Sequence, residues 1–323
     1  MSEVVKEFGG YLPLELPPAT GEWFGGAGVF RLNSGKAAFY AAAKQKKPRK
    51  VWLPYFHSPE SHRPFEQLGI EVERYFLNEN LLPTGVDPRK DELLVWTNYY
   101  GNATLAEIDS VVEQFGDRLL LDNCHAFFAE PMPSALNVYS CRKFFGVGDG
   151  AYLVGKITDE PAGLEKDFSS ESSSHLLIQW ESGTNAGYSR AVENELRLSN
   201  NYGLMSQLTQ TLLNRIDYHR IRKTRAENLK HLHGLLGGLN SFDINLIAET
   251  QILYPFLSSN PTLRQLLAER GVYCPHWWSH VLGMVPASTI EYRLSSCMVL
   301  LPIDQRYGAS EIDTLAQTVL ELV

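Results

Sequence analysis

Lys143 stands in SCRKFFGVGDGAYL (140–153), three residues after Ser140 and ahead of two aromatics and a glycine-rich turn. Upstream, Asp122 ends the apolar run RLLLDN (118–123), and Cys124 and His125 follow it. A lysine amine attacks a carbonyl only when partly deprotonated, which requires burial or neighbouring cations, and Arg142 is adjacent. Taken singly, Asp122 reads as the cap of a following helix and Lys143 as a solvated surface charge. Taken together and in this order, an acid, a hydroxyl and an amine describe a site for covalent carbonyl chemistry.

The elements that must position these groups alternate along the first half. GKAAFYAAAK (35–44) has helical composition, VWLP (51–54) is strand-like, PFEQLG (64–69) helical and IEVERYFL (70–77) strand-like. LLVWTN (93–98) reads as a strand, LAEIDSVVEQFG (105–116) as an amphipathic helix, and RLLLDN and LNVYS as further strands. This alternation predicts an α/β fold with a mostly parallel central sheet flanked by helices. Ligands of such sheets collect beyond the carboxyl ends of the strands, which directs attention to 55–58, 98–102 and 122–125. From about residue 192 the pattern turns to long helical stretches to 237. A strand-helix-strand-helix tail follows through QILYPFL, TLRQLLAERG, CMVLLPI and ASEIDTLAQTVLELV. Two units are expected: a large cofactor-binding unit over 1–191, and over 192–323 long helices with a smaller α+β domain. KDFSSESSSH (166–175) reads as a polar surface loop between them.

GVGDGA (146–151) superficially matches a dinucleotide fingerprint, but such a motif must open a helix, and AYLVG after it is strand-like. A glycine turn into a hairpin is the simpler reading. The combination at 122–143 instead matches the needs of pyridoxal phosphate: an amine for a Schiff base, a carboxylate for the ring nitrogen, phosphate donors, and groups sandwiching the ring.

NSGKAAFYAA (33–42), DNCHAFF (122–128) and SCRKFFGVGDGAYL (140–153), in that order, resemble the fold-type I pyridoxal-phosphate enzymes, and within them the DegT/DnrJ-type sugar aminotransferases. A looser resemblance spans most of the chain and includes LPIDQRYG (301–308). It implies pyridoxal 5'-phosphate as cofactor, with Lys143 as the Schiff-base lysine and Asp122 keeping the pyridine nitrogen protonated. It further implies that Cys124 lies under the ring, that His125 reaches the phenolic oxygen, and that Gly35, Lys36 and Ser140 hold the phosphate, the first two at a helix start that favours anions. An asparagine loop from a neighbouring subunit is part of the pattern, and GTNAGYSR (183–190), with Asn185 and Tyr188, is its best match here. A homodimer with shared active sites follows.

One departure concerns the aromatic ring that relatives place over the cofactor from the loop after the strand matching VWLP. Here that loop reads YFHSPE, with Ser58 at the stacking place, so Tyr55, Phe56 or His57 is left to cover the ring. Tyr55, His57, Tyr99 and Tyr188 are the candidate substrate contacts. Trp277 and Trp278, in CPHWWSHV (274–281), read as packing residues before substrate platforms.

The implied activity is an aminotransferase moving nitrogen from an amino acid donor such as glutamate to a keto acceptor, on a nucleotide-linked deoxysugar by family analogy. A lysine at 143 argues against the related dehydratases, which lack it. Another pyridoxal-phosphate reaction, such as a lyase or a non-sugar transaminase, stays open. So do a non-catalytic relative serving as a regulatory or scaffold protein and a plain structural Asp–Lys pair.

Composition limits the partners. The 323 residues are 44% hydrophobic with a net charge of -8, an acidic balance that argues against nucleic-acid binding. KQKKPRK (44–50) reads as a solvated helix end. Cys124, Cys141, Cys274 and Cys297 form no CxxC pair or zinc spacing, so no metal is expected. The sequence shows neither a signal-peptide pattern nor an apolar run of membrane-spanning length, and a cytoplasmic, membrane-free protein is expected.

Overall fold

The computed structural model describes residues 10–12, 14–157 and 163–323. Its first half forms β1 (Val29–Leu32), α1 (Gly35–Lys46), β2 (Lys50–Pro54), α2 (Arg63–Glu66), β3 (Glu71–Leu77), β4 (Pro83–Thr84), β5 (Glu92–Thr97) and α3 (Leu105–Phe115). β6 (Leu119–Asp122), β7 (Leu136–Ser140) and β8 (Ala151–Val154) complete the sheet. The strand order is β1-β8-β7-β6-β5-β2-β3-β4. The inner strands β7, β6, β5, β2 and β3 pair parallel, while β1, β8 and β4 join antiparallel at the margins.

The centre of the sheet is buried on both faces. All six residues of β5 and all four of β6 are buried, as expected of strands covered by helices on each side. α1 lies against one face through Ala37, Ala38, Ala41, Ala42 and Ala43, whose small side chains allow close approach. Its start is fixed by Ser34, whose hydroxyl accepts from the Ala37 N–H at 3.1 Å. α3 starts with a capping box between Thr104 and Glu107.

GVGDGA behaves as expected: β7 and β8 pair antiparallel across it, so it turns a hairpin. The stretch 166–175 departs from expectation. It forms α4 (Ser169–Ser172) and the start of α5 (Ser174–Ser182), anchored by buried Asp167, which takes two bonds from Arg197 at 2.8 and 3.0 Å. The long helical region is α6 (Thr184–Asn200), α7 (Gln207–Leu213) and α8 (Tyr218–Leu236). A division at 191/192 falls inside α6, whose helix continues across it.

The tail contains β9 (Tyr254–Leu257), α9 (Leu263–Glu269), α10 (Ile290–Cys297), β10 (Met298–Leu301) and α11 (Ala309–Leu320), with β9 and β10 antiparallel. A core of its own, from Leu229 on α8 to Val319 on α11, lies wholly within this part of the chain. Each fully buried aliphatic side chain there contributes about 1.5–3 kcal/mol. Among the described residues no helix is long and apolar enough to cross a membrane.

Candidate active site

The parallel inner strands end on one side of the sheet, and a cavity of about 310 Å³ opens there. β6 delivers Asp122 and, just beyond it, Cys124 and His125; β7 delivers Ser140 and the turn bearing Arg142 and Lys143. The loop after β2 contributes His57 and Ser58, and the start of α1 contributes Ser34, Gly35 and Lys36. The sequence-predicted groups Asp122, Cys124, His125, Ser140, Lys143, Gly35, Lys36 and His57 therefore share one cavity.

Asp122 is buried and fully engaged. Its Oδ1 accepts from the Cys124 N–H at 2.9 Å, and its Oδ2 meets His57 Nε2 at 3.1 Å and the Thr97 hydroxyl at 3.4 Å. Burial alone would raise its carboxyl. The His57 hydrogen bond and nearby positive charge, that of Lys143 included, outweigh that and hold it well below the usual carboxylate range. The site thus carries a permanent buried negative charge. His125 is driven the other way: burial, reinforced by Lys143, keeps its imidazole neutral at physiological pH.

At the opposite side of the cavity the charges are positive. Lys36 is lowered to about 8 by burial and by Arg142, and its Nζ donates to Ser199 Oγ at 2.6 Å. Burial lowers Arg142 to about 10, and it pairs with Glu195 of α6. These cations surround the N-terminus of α1, where free backbone N–H groups and the helix dipole also favour an anion. Gly35 leaves room there: a Cβ at this position would stand 3.0 Å from Cys124 Sγ and press the thiol aside.

Lys143 is exposed to solvent at this cavity, with Nζ 5.5 Å from the centre of the Trp277 ring. That indole belongs to an aromatic stack that sequence reasoning missed. His125 lies 4.4 Å from Trp277 at 17°, and His57 lies 5.7 Å from Trp278 at 12°. Tyr100 backs Trp277 at 6.1 Å and 2°. Both tryptophans pack against the hydrophobic core, as expected, and they also line the cavity. The local signal was two adjacent indoles in a segment without helical or strand periodicity.

Other expectations also change. Tyr99 is buried behind the cavity, its hydroxyl donating to the Phe56 carbonyl at 2.7 Å, and Tyr55 packs on Phe76 at 4.5 Å; neither lines the site. The segment 183–190 is not a loop. Asn185 and Tyr188 lie exposed on the opening turns of α6, outside this chain's own cavity, a placement that leaves their expected role at a neighbouring subunit's site as it was. Ser58 does line the site, but the flat groups beside it are His57 and the two indoles. Arg142 and Glu195 enter the lining without having been assigned binding roles, since their positions depend on where α6 crosses the β7 turn.

The residues suit pyridoxal phosphate. The cavity brings together an ionised carboxylate, an anion-favouring helix start and a lysine amine, and the buried His57 Nδ1 has no partner.

No protein-family model matches the sequence, and no curated protein matches it. Solved structures do match. The sugar aminotransferase CalS13 from Micromonospora echinospora superposes with a TM-score of 0.59 at 12% identity, over 91% of this chain and 87% of that one. NtdA from Bacillus subtilis, with bound cofactor PMP, gives 0.63 at 13% identity, over 91% and 73%. The aminotransferase TlmJ from Streptoalloteichus hindustanus gives 0.59 at 13%, over 90% and 84%. The chain shares the fold of these proteins.

Proposed function

We propose that the protein is a pyridoxal-phosphate-dependent aminotransferase that takes nitrogen from an amino acid such as glutamate and delivers it to the keto group of a nucleotide-linked keto-deoxysugar. The observation that carries this reading is the convergence of Asp122, Lys143, Ser140 and the α1 N-terminus on one cavity. The sugar acceptor is supported by the solved structures sharing the fold, one of which is a sugar aminotransferase.

When bound, the cofactor supplies an electron sink for a carbon that loses a proton. The ionised Asp122 carboxylate would face the ring nitrogen and keep its proton in place, which His57 and Thr97 prepare by orienting that carboxylate. Lys143 Nζ would bind the cofactor's carbonyl and, once released, carry the proton at the substrate carbon. Lys36, Ser140 and the α1 N–H groups would hold the phosphate, while Cys124 supports one face of the ring and the neutral His125 donates toward its phenolic oxygen. Trp277 and Trp278 would exclude water from the other side.

The working unit in this reading is a homodimer in the cytoplasm. α5 and α6 leave Leu177, Trp180, Tyr188, Val192 and Leu196 exposed, Trp180 by 91%. Val192 and Leu196 follow Tyr188 at four-residue steps, so they share one face of α6. The same helix supplies Glu195 and Leu198 to the cavity, so a second copy docked on this face would reach the mouth of the site. Four free cysteines accord with a reducing compartment.

The test is an absorbance spectrum of purified protein with added pyridoxal phosphate, then borohydride reduction and peptide mass mapping. A visible band and a reduced adduct on Lys143 are expected. Absence of both refutes the reading.

A further inference from the structure

Arg225, on α8, is 3% exposed, and none of the described carboxylates forms an ion pair with it. Asp304 lies near enough to favour the charge without contacting it, and a guanidinium buried this way is an expensive way to fill space, since a methionine would pack there without desolvating a charge. Burial lowers it only to about 10, so it remains a cation at neutral pH. What it touches explains why it is there. Nη1 donates to Gln305 Oε1 at 3.0 Å, Nη2 donates to the carbonyls of Ile252 and Gln251, and the guanidinium carbon lies 4.7 Å over the Phe144 ring. Gln305 Nε2 in turn donates to the Phe144 carbonyl at 2.8 Å. Phe144 immediately follows Lys143.

Two stretches of the tail, α8 and the loop after β10, therefore meet Phe144, and the segment before β9 holds Arg225 in place through the Gln251 and Ile252 carbonyls. We propose that Arg225 is a positioning residue for Lys143, clamping the Lys143–Phe144 turn to the tail unit through Phe144 and Gln305 so that the amine is presented to the cavity. This rests on the pyridoxal-phosphate reading for what the amine does, but not for the clamp. The turn's own bonds are short-range, Phe144 N–H and Phe145 N–H both donating to the Cys141 carbonyl at 3.0 and 2.9 Å, and fix its local shape only. Its orientation is set by the packing of Phe144 against Phe127 and Phe128 on the sheet side and, from the tail, by the cation over its ring and the amide on its carbonyl.

The experiment compares Arg225→Met, Arg225→Lys and Gln305→Leu with the parent protein in three measurements. These are amide hydrogen exchange at Phe144 and Phe145 without cofactor, the rate of borohydride-trapped pyridoxal phosphate adduct at Lys143, and thermal melting. Loss of the network should speed exchange and slow trapping by about tenfold in Arg225→Met. Arg225→Lys should recover part of the trapping rate, and Gln305→Leu should show the same defect with a smaller change in melting. Unchanged trapping in a folded Arg225→Met or Gln305→Leu protein overturns the proposal, whether or not melting falls, because a merely structural residue behaves that way. If the parent protein itself traps nothing at Lys143, the cofactor reading has failed. The clamp is then judged on exchange alone, and unchanged exchange overturns it.

Discussion

Asp122→Asn changes the charge at the heart of the site while nearly preserving its shape. Asn keeps an oxygen for the Cys124 N–H, now 2.9 Å from Oδ1, but offers His57 Nε2 and the substrate side of the cavity a neutral amide. A hydrogen bond to a charged group is worth about 1.5–3 kcal/mol. At 1.36 kcal/mol per factor of ten, loss of the ionised partner of the ring nitrogen slows the glutamate half-reaction about 10- to 150-fold. The phosphate grip lies elsewhere, on Lys36, Ser140 and the α1 N-terminus, so affinity for pyridoxal phosphate should change far less than the rate. Stopped-flow absorbance gives the half-reaction and titration of the visible band gives the affinity.

The same substitution has a signature in pH. The folded carboxyl of Asp122 lies below its unfolded value, so between the two the unfolded chain binds more protons and stability rises with pH. The stabilisation is complete above the ordinary carboxylate range and is lost as pH falls below about 4. Urea unfolding from pH 7 to pH 3 should therefore show the parent protein's advantage over Asp122→Asn shrinking at the acid end. An unchanged half-reaction, or a rate and a cofactor affinity that collapse together, would refute the role given to this carboxylate.

Gly35→Ala puts a Cβ 3.0 Å from Cys124 Sγ, and should weaken pyridoxal phosphate binding about tenfold, with recovery in the Gly35→Ala/Cys124→Ala double variant. Lys36, lowered to about 8, loses its charge as pH rises past that value, so cofactor affinity should fall above about pH 8 in the parent protein and show no such step in Lys36→Met. Gly101 has φ +75 and a Cβ there would stand 2.6 Å from the Thr250 carbonyl oxygen and 2.7 Å from that of His125. Gly101→Ala should accordingly destabilise the fold by at least about 3 kcal/mol in a urea melt. Trp180→Glu should convert a dimer to monomers in sedimentation velocity without altering the far-ultraviolet circular dichroism; a monomeric parent protein would refute the docking face.

What the sequence disclosed divides along a physical line. The inner strands and the helices between them were legible because burial on both faces writes a run such as LLVWT or RLLLD into consecutive residues. Asp122, Ser140 and Lys143 were legible for a related reason: each sits at or just past the end of such a strand, and parallel strands bring those ends together. Gly35 and Lys36 followed from a helix start next to the same strand ends.

The parts that were not legible depend on where the chain crosses itself. Tyr99 and Tyr55 share loops with site residues, yet side chains on such turns diverge, and theirs are spent on packing against Phe56 and Phe76. The helix around Asn185 was hidden by Gly183 and small polar residues, whose propensities favour turns; its register is held by packing of α5 on α6, with Gly187 in close contact with the His175 carbonyl. Trp277, Trp278 and Arg225 come from the tail unit, and nothing periodic marks a residue whose partner is about eighty or more positions away. Like Glu195 and Leu198 of α6, these three meet the site from outside the sheet, two as rings beside the cavity and one as a cation behind the Lys143 turn. On the proposed reading, the strand ends would assemble a cofactor's ligands by topology alone, whereas covering the ring and fixing the amine would need the tail packed against the sheet. The chemistry and the contact between the two units therefore stand or fall together.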